Sequence, residues 1–328
     1  MPEISVIITT RNRPSTLIRA IESARAASQR EVEIVVVDDA STDETAGLCR
    51  SVKGINYIRV EHNQGVAGAR NLGILSSRGA FLSFLDDDDV RLPGSLDHQL
   101  KALVSAPDAG LIYGQAILGY QDGTPSSALY PARCPGGEVF WQLLAQNFMP
   151  CGATLFRRSC LYRVGLLDDG ISGIDDWDLW IRIAELYPVL AQEQPVMIWR
   201  QSTPVSGQGS SNAIKIVRQC TRQFRECWMS LPRAAKSAAP ERLKSYRTFS
   251  STMARHLLRE AVRSAAVGRL FRSQKNILAA FCLYPKAVAE EILRPDGFNL
   301  LLTRAQKVWR SAKDNSRRPA ATAVVNRL

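Results

Sequence analysis

A chain of 328 residues, 45% hydrophobic and 22% charged, has the composition of an ordinary globular protein and can bury one large core plus an appended smaller unit. No apolar run approaches the roughly 18 to 20 residues that span a bilayer, and the start MPEISVIITTRN lacks the charged, apolar and cleavage regions of a signal peptide, so a cytoplasmic protein is expected. The net charge of +11 is divided unevenly: residues 1–204 carry 18 Lys+Arg against 24 Asp+Glu, a net of −6, and residues 205–328 carry 24 against 7, a net of +17.

In chain order, the first hundred residues alternate between short apolar runs and amphipathic stretches. ISVIIT (4–9), VEIVVVD (32–38), INYIRV (55–60) and AFLSFL (80–85) read as near-continuous apolar strands of a sheet covered on both faces. Helices are expected over Ser15 to Ala27, Asp43 to Ser51 and Ala67 to Ser76. Such alternation predicts an α/β fold with a largely parallel sheet, whose ligands bind beyond the carboxyl ends of the strands. Each apolar run ends in polar residues: TTRNR, DDASTDE, EHNQGVAGARN and DDDD. Four polar clusters at one end of one sheet make one cleft.

From Ala109 to Arg200 the pattern loosens into a hairpin (LIYGQAILGYQDGT), an aromatic helix around Phe140 to Leu144, and GIDDWDLWIRIAELYP. These elements complete the sheet and lay a helix across its mouth. The expected organisation is one α/β domain over 1–204, with a first half of about 1–108 and a second half of about 109–204. A Gly/Ser linker (SGQGSSN, 206–212) leads to a basic helical region over 205–312, read as helical up to about Trp309, and a disordered tail over 313–328. No internal repeat is present.

The tetra-aspartate DDDD (86–89) demands an explanation, because adjacent carboxylates repel one another by something like 1 kcal/mol per close pair even in water. Side chains at i and i+2 of a strand share a side, so Asp86 and Asp88 converge on one hard cation while Asp87 and Asp89 face elsewhere. All-oxygen ligation suits Mg2+ or Mn2+. The competing explanation makes Asp89 the cap of a helix beginning near Pro93, with its neighbours solvated.

Asp38 and Asp39 end the second strand, where a carboxylate accepts hydrogen bonds from a base or ribose, although Ser41 or Thr42 followed by Glu44 or Thr45 also resembles a helix start. NQGVAGARNLG (63–73) is not a GxGxxG fingerprint, yet its glycines and Arg70 suit a diphosphate or a base edge. In ISGIDDWDLWIRIAE (171–185), Asp175, Asp178 and Arg182 are spaced as neighbours on a helix, with Trp177, Leu179, Trp180 and Ile183 on its buried face. Acids that merely complement the helix dipole explain the same residues. Beside a metal-diphosphate cleft, one carboxylate of this Asp-Asp pair can instead take a proton from an attacking hydroxyl, helped where its neighbour raises its pKa. Cys49, Cys134, Cys151, Cys160, Cys220, Cys227 and Cys282 form no zinc spacing and read as reduced thiols, and His62, His98 and His256 stand far apart, which argues against a histidine-based metal site.

Taken in order, SVIITTRNRP (5–14), VVVDDASTDET (35–45), NQGVAGARNLG (63–73), FLDDDD (84–89) and GIDDWDLWIRIA (173–184) resemble the inverting, nucleotide-sugar-dependent glycosyltransferases of the GT-A fold, family 2. The resemblance covers roughly the first 200 residues. It implies a Rossmann-like, mostly parallel mixed sheet flanked by helices, and an enzyme of polysaccharide biosynthesis moving a sugar from a nucleoside-diphosphate donor, UDP first, to a hydroxyl of a glycan or lipid-linked saccharide. It implies that Thr10, Arg11, Asp38, Asp39, Arg70, Asp86 and Asp87 surround the nucleotide, that Asp86 and Asp88 hold Mn2+ or Mg2+, and that Asp176, paired with Asp175, is the catalytic base. Three departures stand out. Arg11 replaces a frequent aromatic residue, Asp175 replaces the usual Glu, and WRQSTPVSG (199–207) has no histidine where the family often supplies one near the metal.

The basic C-terminal region lies outside the resemblance. It is read either as a platform on anionic lipid at the inner face of the membrane, or as a helical subdomain packing as a homodimer or against the catalytic domain. Nucleic-acid binding is not expected, since no recognisable module accompanies the charge. Two rival functions are a sugar-phosphate nucleotidyltransferase, which would open with a glycine-rich loop that ISVIITTRNRP lacks, and a non-catalytic saccharide- or nucleotide-binding protein.

Overall fold

The protein is described by a computed structural model covering residues 3–120, 122–171, 173–201 and 212–293. The chain divides into two compact units, residues 1–202 with 222–245, and residues 203–221 with 246–328. Most of the 206–212 linker, the helix expected beyond 293 and the tail over 313–328 lie outside the described residues.

The first unit is built on one mixed sheet. Its strands are β1 (Ile4–Thr10), β2 (Val32–Asp39), β3 (Asn56–Val60), β4 (Phe81–Asp86), β5 (Val90–Arg91), β6 (Leu111–Gly119), β7 (Pro125–Tyr130), β8 (Thr154–Arg157) and β9 (Val189–Arg200). The order is β3-β2-β1-β4-β8-β6-β9-β5, with β7 paired to β6. The first four strands by sequence run parallel, and β8 joins β4 and β6 antiparallel. The parallel half is the predicted one, and each expected strand lies within a residue or two of its place. Register matters most for function: Thr10 pairs with Asp38 and Thr9 with Asp86, so the polar ends of β1, β2 and β4 come out together.

The helices cover both faces as the apolar strands require. α1 (Pro14–Ala26) starts with proline at its first turn, where the missing N–H is no loss. It buries Leu17, Ala20, Ile21 and Ala24 against Ile4, Val6, Ile8 and Ile34. α2 (Thr45–Ser51) begins two residues later than expected, because Asp43 accepts bonds from the Thr45 N–H (3.0 Å) and hydroxyl (2.5 Å) ahead of the helix. Glu44 makes no side-chain cap, so the capping box suggested by the sequence does not form. α3 (Gly65–Ser76) lies unusually close to the sheet: a Cβ on Gly73 would stand 2.3 Å from Ile7 Cγ2 and 3.3 Å from Val37 Cγ2. α4 (Ser95–Ser105), α5 (Phe140–Ala145), α6 (Leu161–Val164) and α7 (Asp175–Leu186) complete the catalytic half. On α7 the expected apolar face is buried, with Trp177 at 4% exposure and Leu179, Trp180 and Ile183 at 0%.

α8 (Ala213–Glu226, up to Thr221 in the second unit) and α9 (Pro232–Ala235, in the first) follow, and the second unit is helical as expected wherever it is described, with α10 (Ala239–Ala266, from Tyr246 onward in this unit), α11 (Leu270–Leu283) and α12 (Pro285–Leu293). Its buried residues include Phe249, Met253, Leu257, Ala261, Ala280 and Val288, and Arg255 of α10 bonds Glu290 of α12 at 3.0 Å. Among the described residues, no helix is long and apolar enough to cross a membrane.

Candidate active site

Strand β4 ends at Asp86 and the chain turns at once, the Asp89 N–H donating to the Asp86 carbonyl at 3.0 Å. That turn changes the expected alternation. Asp87 does face away, accepting from the Thr10 hydroxyl at 2.7 Å and from Arg13 Nη1 at 3.0 Å. Asp89 does not: the turn folds it back beside Asp86 and Asp88, and one carboxylate oxygen of each lies within 4.8 Å of the others. Nor does Asp89 cap the next helix, which starts at Ser95 with Gly94 at its cap; it accepts instead from the Arg200 N–H at 2.8 Å.

Burial and repulsion act together on this cluster. Burial pushes Asp87 up to about 6, with Asp88 and Asp86 adding to the rise and Arg13 and Thr10 opposing it. Asp89 is raised well above the carboxylate range by burial and then by Asp86 and Asp88. Two guanidinium groups offset the charge. Arg13 Nη1 lies 3.0 Å from Asp88, and Arg200 reaches the same carboxylate at 2.6 Å through Nη2 and 3.2 Å through Nε. Three converging carboxylates, with Asp86 still 42% exposed at its side chain, are hard oxygen donors with an open side, and they fit a Mg2+ or Mn2+ ion.

At the ends of β1 and β2 the loops are pinned to one another. Asn12 (φ 55°) and Ala40 (φ 60°) occupy the left-handed region, which costs a non-glycine residue roughly 1 kcal/mol. The Asn12 side chain accepts the Thr42 N–H at 2.8 Å, and the Asn12 N–H donates to Ser41 Oγ at 2.9 Å. Asp38 is fully buried and accepts from the Ser41 N–H and the Tyr57 hydroxyl, both at 2.8 Å. Asp39 accepts the Gln64 N–H at 2.6 Å at the start of α3. Arg11 is exposed at the rim.

Arg70 and the start of α7 form the other wall. Arg70 is only 5% exposed; its Nη2 reaches Asp86 at 2.7 Å, its Nη1 reaches Asp175 at 2.7 Å, and its guanidinium stands 5.2 Å from the Phe84 ring centre. The cation expected to meet a diphosphate is therefore committed to two carboxylates. The expected Asp175–Asp178–Arg182 trio also separates: Asp178 pairs with Arg182 at 2.8 Å, while Asp175 turns to Arg70. Asp176 is half-buried and accepts the Trp177 N–H at 2.7 Å. Burial, and then the charge of Asp175, raise it to about 7, with Arg70 opposing. Behind it, Asp178 accepts from Gln223 Nε2 at 3.0 Å and from Trp228 Nε1 at 2.8 Å, and the Trp177 and Trp228 rings are 4.9 Å apart.

Sequence reasoning missed Arg13, Asp89, Arg200 and the Asp178–Trp228 bond. Arg13 and Arg200 offered only the signal of cations next to polar strand ends. Of the stretch 199–207, the described residues place Arg200, not a histidine, beside the acidic cluster, and residues 202–207 lie outside the described part of the chain.

Comparison with known proteins gives a family match and a fold. Residues 5–165 match the family described as Glycosyl transferase family 2. An uncharacterized glycosyltransferase of Rickettsia prowazekii is 25% identical over 323 residues, which cover 95% of this chain and 98% of that protein. The structure of Staphylococcus aureus TarS 1–349 with UDP-GlcNAc superposes with a TM-score of 0.60 at 16% identity, over 97% of this chain and 92% of that one. The mannosyltransferase PcManGT of Pyrobaculum calidifontis, in complex with GDP-Man and Mn2+, gives a TM-score of 0.55 at 18% identity over 96% and 87%. These two likenesses establish the GT-A fold.

Proposed function

Since this chain belongs to glycosyltransferase family 2 through residues 5–165 and is a glycosyltransferase, we propose that it transfers a sugar, with inversion, from a nucleoside diphosphate to an acceptor hydroxyl, using a divalent metal and Asp176 as base. The observation that carries this reading is the junction at the end of β4: Asp86, Asp88 and Asp89 within 4.8 Å of one another, joined through Arg70 to the Asp175–Asp176 start of α7. UDP is the first nucleotide to test, because TarS holds UDP-GlcNAc, with GDP second because PcManGT holds GDP-Man. A bound Mn2+ or Mg2+ ion at these aspartates supplies positive charge to the leaving diphosphate.

The chain's own residues do the rest. The acceptor oxygen bonds to the anomeric carbon as the anomeric carbon–diphosphate oxygen bond breaks, the electron pair leaves with the diphosphate, and the acceptor proton passes to Asp176. A carboxylate raised to about 7 is matched to that role near neutral pH. Asp175, held by Arg70, is a positioning residue for its neighbour. Arg13 and Arg200 pair with Asp87 and Asp88 and so offset part of the negative charge that a diphosphate would meet beside the cluster. The acceptor in this reading is a hydroxyl of a glycan or lipid-linked saccharide. A thermal-shift series of nucleoside diphosphates with and without Mn2+, followed by donor hydrolysis, tests the reading. Metal-dependent stabilisation by one nucleotide is expected; no response to any of them overturns it.

A further inference from the structure

Helix α11 of the second unit has its apolar side in water. Leu270 (64% exposed), Phe271 (70%), Ile277 (47%), Leu278 (64%) and Phe281 (55%) all project from it. With 3.6 residues per turn these positions fall in one stripe along the helix. The buried side of α11 is small or polar: Ser273, Asn276 and Ala280. Scattered exposed apolar residues are ordinary, but five on one face of a 14-residue helix form a continuous surface that water disfavours.

Among the described residues, the charge carried by α11 itself has one sign. α11 carries Arg272 and Lys275, is preceded by Arg269, and contains no Asp or Glu. Lys275 Nζ stands 4.3 Å from the centre of the Phe271 ring, so a cation borders the apolar strip directly. The three carboxylates among the described residues of this unit are already paired: Glu260 with Arg263, and Glu290 and Glu291 with Arg255. A second copy of the chain would bring one positive rim against another. An anionic lipid surface offers the complement to both features, acyl chains for the stripe and phosphates for the rim.

We infer that α11 docks the protein on anionic membranes, lying in the interface with Leu270, Phe271, Ile277, Leu278 and Phe281 toward the acyl chains and Lys275 at the headgroups. The inference does not rest on the donor or the metal, and its readout needs no nucleotide.

Cosedimentation of the full chain with phosphatidylglycerol and phosphatidylcholine vesicles tests it. Binding is expected to the first and not the second, weakening as salt rises from about 0.05 M to about 0.5 M. Leu278→Ser combined with Phe281→Ser should lower the partition coefficient by about tenfold or more, and Lys275→Glu by about fivefold. Both variants alter exposed positions, so melting temperature and donor hydrolysis should match the parent. Equal binding to both vesicles, or binding to neither, overturns the inference. So does a dimer, seen by light scattering without lipid, that the Leu278→Ser/Phe281→Ser variant dissolves, since that outcome assigns the face to a second copy.

Discussion

Asp175 accepts a 2.7 Å hydrogen bond from Arg70, a residue 105 positions earlier in the chain, and both side chains are buried. One guanidinium thereby links the helix that carries Asp176 to the strand end that carries the acidic cluster. Lysine at position 70 keeps the charge but cannot present two parallel donors to two carboxylates. Arg70→Lys is expected to destabilise the fold by about 3 kcal/mol, in the range for breaking a buried ion pair. Urea denaturation measures this; a variant within experimental error of the parent would remove Arg70 from the architecture of the site.

Asp176→Asn is expected to reduce kcat by about a thousandfold or more while leaving nucleotide affinity near the parent value, because the base acts on the acceptor. An equal loss in donor affinity and in rate would make Asp176 structural. In the parent, transfer should rise with pH along a limb centred at about 7, where Asp176 loses its proton.

The same titration fixes the sign of a stability effect. Asp176 moves from an ordinary 3.8 up to about 7 in the folded chain, so the native state holds this proton more tightly than the unfolded state does. Its contribution to stability is full below pH 4 and is lost as pH rises through 7. Asp176→Asn should therefore stabilise the protein by about 2 kcal/mol at pH of about 8 and by little at pH of about 4. Denaturation curves at the two pH values decide the matter, and a gain confined to the acidic end would reverse the sign.

Asp88→Asn and Asp89→Asn are each expected to weaken Mn2+-dependent binding of UDP by about tenfold or more. Titration calorimetry with and without the metal reads the effect. Unchanged binding in Asp89→Asn would return that residue to the role of a partner for the Arg200 backbone alone.

Trp228→Phe keeps the ring against Trp177 and deletes one donor to the buried Asp178 carboxylate. A loss of about 1 to 2 kcal/mol is expected, with kcat reduced several-fold and KM little changed, because the base helix loses part of its anchor. A fall in stability with kcat intact would leave Trp228 a packing residue only.

The parallel half of the sheet was legible because each strand is a short apolar run with polar residues at its exit, and parallel register then aligns those exits: Thr10 with Asp38, Thr9 with Asp86. The orientation of Asp89 was not, since strand alternation stops applying where the chain turns, and nothing in DDDD marks which residue turns first. Arg200 meets Asp88 over 112 positions, and Trp228 meets Asp178 over 50, contacts that follow from the packing of whole elements. Leu270, Phe271, Ile277, Leu278 and Phe281 were readable as one face of a helix. That this face is the outer one depends on Ser273, Asn276 and Ala280 being inside, which hydrophobicity alone argues against.

Gly73 touches no reacting group, yet it sets a dimension of the site. Because it has no side chain, α3 rests directly on Ile7 and Val37, and that depth also fixes how far Arg70, three residues earlier, projects toward Asp86 and Asp175. The helix works as a gauge block between sheet and chemistry. Catalytic arrangements tolerate only about 0.5 Å of displacement, while a single methyl at position 73 would overlap Ile7, so the helix must lift or the strand must yield. In a substitution scan scored by transfer activity, this glycine would fall into the same intolerant class as the carboxylates, and a map of essential positions drawn from such a scan would extend one layer deeper than the cleft itself.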